Sequence, residues 1–172
     1  AVFDFTKLKW MNGEYIKKLD FDKFYEMALP YIKEVVTKDY DLKKIARMVQ
    51  TRIEIFPDIK EHIDFFEELP DYDIAMYTHK KMKTNAETGL SALKMLLPVL
   101  GGVEDWNEEN IHSAIFAEIE KQGVKNGFML WPLRVALSGK ALTPGGGIEL
   151  AAILGKDETI RRTEAAITKL GG

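Results

Sequence analysis

The sequence predicts an all-α protein, and three observations carry that prediction. Apolar residues recur at helical spacing, capping and breaking residues punctuate these runs, and no segment sustains the alternate-residue pattern of a half-buried strand. A length of 172 residues is enough for one compact domain or two small ones with a real core. Apolar residues make up 46% and charged residues 30%, the ordinary balance of a globular chain.

The elements follow in order. After Asp20, a good N-cap, Phe21, Phe24, Tyr25, Ala28 and Leu29 fall on one helical face. Pro30 either kinks that helix or opens the next, whose inward face is Ile32, Val35 and Val36. Asp41 caps a third helix with Leu42, Ile45, Ala46, Val49 and Ile53 inward and Lys43, Lys44 and Arg47 to solvent. Arg52 then falls at about 280° on a wheel starting at Leu42, the edge of the apolar stripe, with a packed stem and an exposed head. Pro57 and Pro70 punctuate an acidic stretch holding a short helix around His62–Phe66. A long helix runs from about Glu87 to Leu97 and is ended by Gly101-Gly102. Asp105, with Glu108 three residues later, reads as the capping box of a helix burying Ile111, Ala114, Ile115 and Ile119 and stopped by Gly123. Pro132 opens a helix over Leu133–Leu137, a short apolar helix closes at Gly155, and a final helix follows.

Composition excludes several chemistries. With no cysteine there is no disulfide framework, thiol nucleophile or thiolate metal site. No apolar run approaches the roughly 18–20 residues of a membrane span, and the start lacks a signal-peptide pattern. A soluble, reducing compartment is expected, and the missing initiator Met points to an excised fragment. His62, His79 and His112 stand far apart and in no metal-ligand spacing, so each reads as structural. Gly139-Lys140 is not a phosphate-binding loop: the first glycine of GxxxxGK[ST] falls at Arg134, and Ala141 follows the lysine. Neither a catalytic nor a metal-binding constellation emerges.

What remains is recognition. The net charge of −3 argues against non-specific phosphate binding as the main mode, but the charge is uneven. Lys43, Lys44, Arg47 and Arg52 occur without an acidic residue among them, and an acidic stretch from Glu54 to Asp73 follows. An acidic stretch beside a basic one orients a polyanion towards the latter. Residues 128–155 are the most telling. Arg134 interrupts an apolar segment, Gly139-Lys140 ends it, and Gly145-Gly146-Gly147 frees the backbone for close approach to a partner. Trp10 and Trp131 read as packing residues, and Arg161 and Arg162 as surface charges or phosphate contacts.

Two stretches resemble a known family. Near the start, FDFTKLKWMNGEYIKKL is similar to the segment that follows the catalytic part of bacterial-type glutamyl-tRNA synthetases. Near the end, WPLRVALSGKALTPGGGIELAAILGKDETIRRTEAAI is similar to that enzyme's C-terminal region, with its PLR and TPG pieces. The EDW before a long helix and the Phe-Phe near residue 65 also fit, so the resemblance covers essentially the whole chain. It implies a two-part helical cage that binds the anticodon end of tRNA. Residues 1–69 are then the first subdomain, with the stem-contact end, and residues 70–172 the second. The full enzyme activates glutamate with ATP and Mg and transfers it to tRNA-Glu, in some members to tRNA-Gln. Its HIGH-like and KMSKS-like signatures belong to an upstream domain. Lys81-Met82-Lys83-Thr84 is superficially similar to KMSKS but lacks the Ser and lies in the wrong region.

The resemblance therefore implies a cytoplasmic, monomeric, non-catalytic part of a ligase, needing no cofactor of its own. Its partners are tRNA and the upstream catalytic domain of the same chain. Carried over residue by residue, Arg52 reads the third anticodon base. Arg134 and the turn Thr143, Pro144, Gly145 lie near the first two, with Gly146 supplying backbone where some relatives place Leu-Phe. Lys43, Lys44, Arg47 and Lys140 are phosphate-contact candidates. A helical protein-interaction or translation-regulatory module without tRNA specificity is the competing reading, favoured by the overall acidity.

Overall fold

The computed structural model describes residues 4–172. Among them stand nine α-helices and no strand: α1 (Phe5–Lys18), α2 (Phe21–Val35), α3 (Leu42–Val49), α4 (Ile59–Glu67), α5 (Ala86–Gly101), α6 (Glu108–Gln122), α7 (Asn126–Ser138), α8 (Gly147–Leu154) and α9 (Lys156–Lys169). The chain divides into two compact units, one ending at Glu68 and one spanning Leu69–Gly172.

In the first unit, α2 supplies Phe24, Ala28 and Ile32 to a core completed by Ile45, Ala46 and Val49 of α3 and Ile59, Ile63 and Phe66 of α4. Pro30 does not open a new helix; α2 runs through it. The hydrogen bond it cannot make belongs to the Glu26 carbonyl, and both residues are exposed, on a face open to solvent. Asp20 occupies the N-cap position without a side-chain bond, whereas the Asp41 carboxylate accepts from the Lys44 N–H at 3.2 Å. Helix α1 buries only Gly13 and Ile16. Trp10, read from sequence as a packing residue, is 58% exposed, and Phe5, Leu8, Met11 and Tyr15 are uncovered with it.

In the second unit, α7 is the hub, packed by α5, α8 and α9. Eight of its 13 residues are buried, and Arg134 is the one charged residue in it. The helix starts at Asn126, well before Pro132, which lies buried in its middle rather than in its first turn. Helix α6 is capped by Asn107, whose side chain accepts from the Asn110 N–H at 2.8 Å, and not by Asp105. The Trp106 indole beside it donates to the Ala151 carbonyl at 3.0 Å, tying the start of α6 to α8. Gly139 closes α7 in the left-handed conformation, φ 64°, where a Cβ would press on Tyr72 and Pro70 at 3.0–3.2 Å.

Arg162 overturns its surface reading. It is 0% exposed: its Nε meets Glu158 at 2.8 Å and its Nη1 donates to the Leu137 carbonyl at 2.6 Å, at the end of α7. Arg161, hydrogen-bonded to the same carboxylate, and then Arg162 hold the Glu158 carboxyl down to about 2 against the effect of burial.

Candidate nucleic-acid interface

In the first unit the basic residues cluster on and just after α3. Arg47 lies 3.9 Å from the centroid of the Phe21 ring and Lys43 5.7 Å from that of Tyr25, and these two rings are themselves stacked. The aromatic pair fixes two cations that helical spacing alone leaves loose in solvent. Lys44 is exposed beside them.

Arg52 is not on the helix. Helix α3 ends at Val49, so a wheel drawn through Arg52 misplaces it; its exposed side chain rides a turn in which its N–H donates to the Val49 carbonyl at 2.9 Å. What steadies it is backbone. The Gln50 side chain donates to the Ile16 and Leu19 carbonyls at 3.1 and 3.0 Å, joining the Leu19 N–H on the first of them at the end of α1. The Asn12 side chain donates to the Glu54 carbonyl, Ile53 is buried, and Gly13 lets residues 53–54 approach within 3.4 Å of where a Cβ would sit. The Asn-Gly of the WMNGEYI stretch therefore braces the turn that carries Arg52.

In the second unit a cavity of about 830 Å³ opens beside α7. Arg134 lines it, half-buried, 5.7 Å from the Trp131 ring centroid and 3.5 Å from the Ala141 carbonyl. These contacts tie the helix to the loop that follows it. Of the loop residues singled out from sequence, Gly146 lines the cavity and forms the N-cap of α8. Pro144 and Gly145 are buried behind the rim, and the Thr143 hydroxyl donates to the Gly145 carbonyl, closing the turn. Lys140 is half-buried, with its N–H donating to the Ser138 hydroxyl at 3.1 Å. Gly147 meets an internal need: a Cβ there would stand 3.0 Å from Leu133 and 3.2 Å from the Arg134 nitrogen, so its freedom serves α7–α8 packing. The close approach read from the glycine triplet is thus made within the fold.

Several cavity residues were invisible to motif reading. Leu142, 86% exposed, reaches the cavity from the loop. His112 and Phe116, stacked on each other at 4.1 Å, line it from α6. Their spacing of four was the available signal. His79 packs edge-on against Trp131 at 4.3 Å, while Trp131, buried as expected, donates to the Met76 carbonyl at 3.1 Å. Glu108 and Glu149 add carboxylates to the wall. Donors, acceptors and aromatic faces around one opening suit a planar, polar ligand. Among the described residues no group of three His, Asp or Glu is placed to hold a metal ion, and no helix is long and apolar enough to cross a membrane.

Comparison with known proteins shows the family and the fold. A family model described as an anticodon binding domain matches residues 23–167. Glutamate–tRNA ligase of Clostridium acetobutylicum is 61% identical over 171 residues, and that of Lachnoclostridium phytofermentans 58% over 170. Each alignment takes in 99% of this chain and 35% of the relative, so the chain spans about a third of the relatives' length. Among solved structures, a glutamate tRNA ligase from Elizabethkingia meningosepticum, described as in complex with its amino acid, superposes with a TM-score of 0.82 at 25% identity. That match covers 99% of this chain and 33% of the other. Glutamate-tRNA synthetase from Elizabethkingia anophelis gives 0.75 at 27% identity, over 98% and 32%.

Proposed function

Since the chain belongs to the anticodon binding domain family, we propose that it reads the anticodon of tRNA as part of a glutamate–tRNA ligase. In that setting the ligase joins L-glutamate to tRNA-Glu at the expense of ATP, with Mg and ATP held by an upstream catalytic domain and no catalytic group drawn from this chain. The uncovered apolar stripe of Phe5, Leu8, Met11 and Tyr15 on α1 offers that domain a surface to pack on. A monomeric, cytoplasmic enzyme completes the reading, with tRNA-Gln as the second candidate substrate.

The observation that carries the proposal is the cavity beside α7, whose wall brings together the Arg134 guanidinium, the His112 and Phe116 rings and Gly146. A guanidinium fork can bond a base edge at two points, and unpaired anticodon bases are splayed out and stacked when proteins read them. Arg134 and Gly146 read one of the first two bases, on a turn shaped by Thr143, Pro144 and Gly145. Arg52 reads the third from its braced turn. Lys43, Lys44, Arg47 and Lys140 contact phosphates.

Arg134→Ala is expected to weaken binding of a tRNA-Glu anticodon hairpin by about 1–3 kcal/mol and to relax preference at the first or second anticodon position. Filter binding against hairpins substituted at each anticodon base measures this. Equal affinities of wild-type chain for all anticodons, or unchanged base preference in Arg134→Ala, would sink the reading. A protein-interaction module predicts the first of these results.

A further inference from the structure

The Lys81-Met82-Lys83-Thr84 segment has no place in the reading above. It is a tight turn, closed by paired backbone hydrogen bonds between His79 and Thr84 at 3.1 and 3.2 Å. Inside it the Lys83 N–H donates to the Lys80 carbonyl at 3.3 Å and the Met82 N–H to His79 Nδ1 at 3.1 Å. The Thr84 hydroxyl anchors its base on the Tyr77 carbonyl at 2.8 Å. Lys83 adopts φ 56°, the one non-glycine residue with positive φ among those described. Glycine or asparagine would adopt this conformation at lower cost, and the exposed Lys83 side chain has no packing role to offset it.

The turn faces a notch of about 250 Å³ lined by Lys81, Lys83 and Lys125, with Met82, Val124 and Phe128 among its apolar residues. Neither these three lysines nor Lys80 makes a side-chain hydrogen bond or ion pair among the described residues, and no carboxylate lines the notch. In a chain of net charge −3, that is a local surplus of ammonium groups. Met82 and Gly127 belong both to this notch and to the large cavity beside α7, whose own wall carries Glu108 and Glu149. The cavity can therefore accept a base while its rim, on one side, offers only positive charge.

We infer that this lysine turn, together with Lys125, is a phosphate-binding rim for single-stranded RNA, holding the sugar-phosphate backbone of the nucleotide whose base enters the cavity. The inference rests on the anticodon-reading proposal and extends it to residues with no assigned role. Lys83→Gly removes the charge while keeping or easing the backbone, so its melting temperature should equal or exceed that of the wild-type chain. Lys81→Gln/Lys83→Gly should weaken an anticodon hairpin of any sequence alike, preserving base preference. Its plot of log K against log salt should flatten by about 1.4, at about 0.7 for each single-strand phosphate that is no longer neutralised.

A hairpin with single uncharged methylphosphonate linkages, moved through the anticodon loop, locates the contact. One linkage should weaken the wild-type chain and leave the double variant unaffected. If the hairpin binds with base preference but no linkage couples to the lysines, or the salt slope stays unchanged, the lysine rim is wrong and the cavity reading stands. If the wild-type chain binds no hairpin, both fall. Displacement of the hairpin by inorganic phosphate at the same ionic strength, without coupling to any linkage, would identify a free-anion site instead and also overturn the inference.

Discussion

Arg162 and Glu158 show how a charged residue becomes part of a core. The guanidinium is fully buried at the C-terminal end of α7, where a cation meets the partial negative charge of the last carbonyls, and one of its nitrogens, Nη2, has no protein partner. Removing its carboxylate strands a buried cation, so Glu158→Gln is expected to cost about 2–4 kcal/mol in urea unfolding. The pH dependence follows from the same pair. The folded carboxyl titrates near 2 against an ordinary 4.5, so the unfolded chain binds the proton more readily. The stabilisation, on the order of 2 kcal/mol after allowing for solvent at the carboxylate, is complete above about pH 5 and lost as the pH falls through about 2. Acid unfolding followed by circular dichroism should show Glu158→Gln flatter than wild type in that window; parallel curves would refute the linkage. Both residues were visible in the sequence at a spacing of four. Arginine is rarely buried unless it is paired, and Glu158 is the pair that lets Arg162 depart from a surface position.

Among the elements, legibility tracked the strength of the local signal. The start of α3 at Asp41 and the end of α6 at Gly123 stand where the sequence places them because one side-chain bond or one left-handed glycine decides each. Helix α7 was misread because proline favours a first turn, whereas here tertiary packing on both flanks of Pro132 outweighs the missing hydrogen bond. Trp10 misleads for the opposite reason: aromatic residues are usually covered, and α1 packs only through Gly13 and Ile16. Asp105 yields the cap of α6 to Asn107, an equally good capping residue two positions on. Of the candidate site, Arg134 and Gly146 were legible as an arginine in an apolar helix and a glycine after it, whereas Leu142, His112 and Phe116 meet them only through the packing of α6, α7 and α8. Gly147 tests that packing. Gly147→Ala places a methyl against Leu133 and the Arg134 backbone, and is expected to destabilise the fold by roughly 1–3 kcal/mol. Because the displaced segment carries Arg134, hairpin affinity should fall at temperatures where the variant remains folded. Unchanged affinity and stability in Gly147→Ala would show that α8 shifts without consequence.

At the scale of the whole molecule, the two halves of the proposed readout belong to units with separate cores. Arg52 stands in the unit ending at Glu68, on a turn held by Asn12 and Gln50 of that same unit. Arg134, the loop to Gly146 and the lysine turn all stand in Leu69–Gly172, whose own buried residues include Leu93, Leu96, Leu133, Leu137 and Leu150. A chain of residues 69–172 should therefore fold alone and unfold cooperatively, as a domain of about 100 residues with its own core does. It should keep preference at the anticodon positions that Arg134 reads and lose preference at the third. In the full chain, Gln50→Ala should do the reverse: losing its two bonds to the end of α1 loosens the Arg52 turn and blunts third-base preference alone. Binding measured with hairpins substituted at one anticodon position at a time separates the two effects. If residues 69–172 still discriminate the third base, Arg52 is not its reader, and the bracing of its turn by α1 serves stability alone.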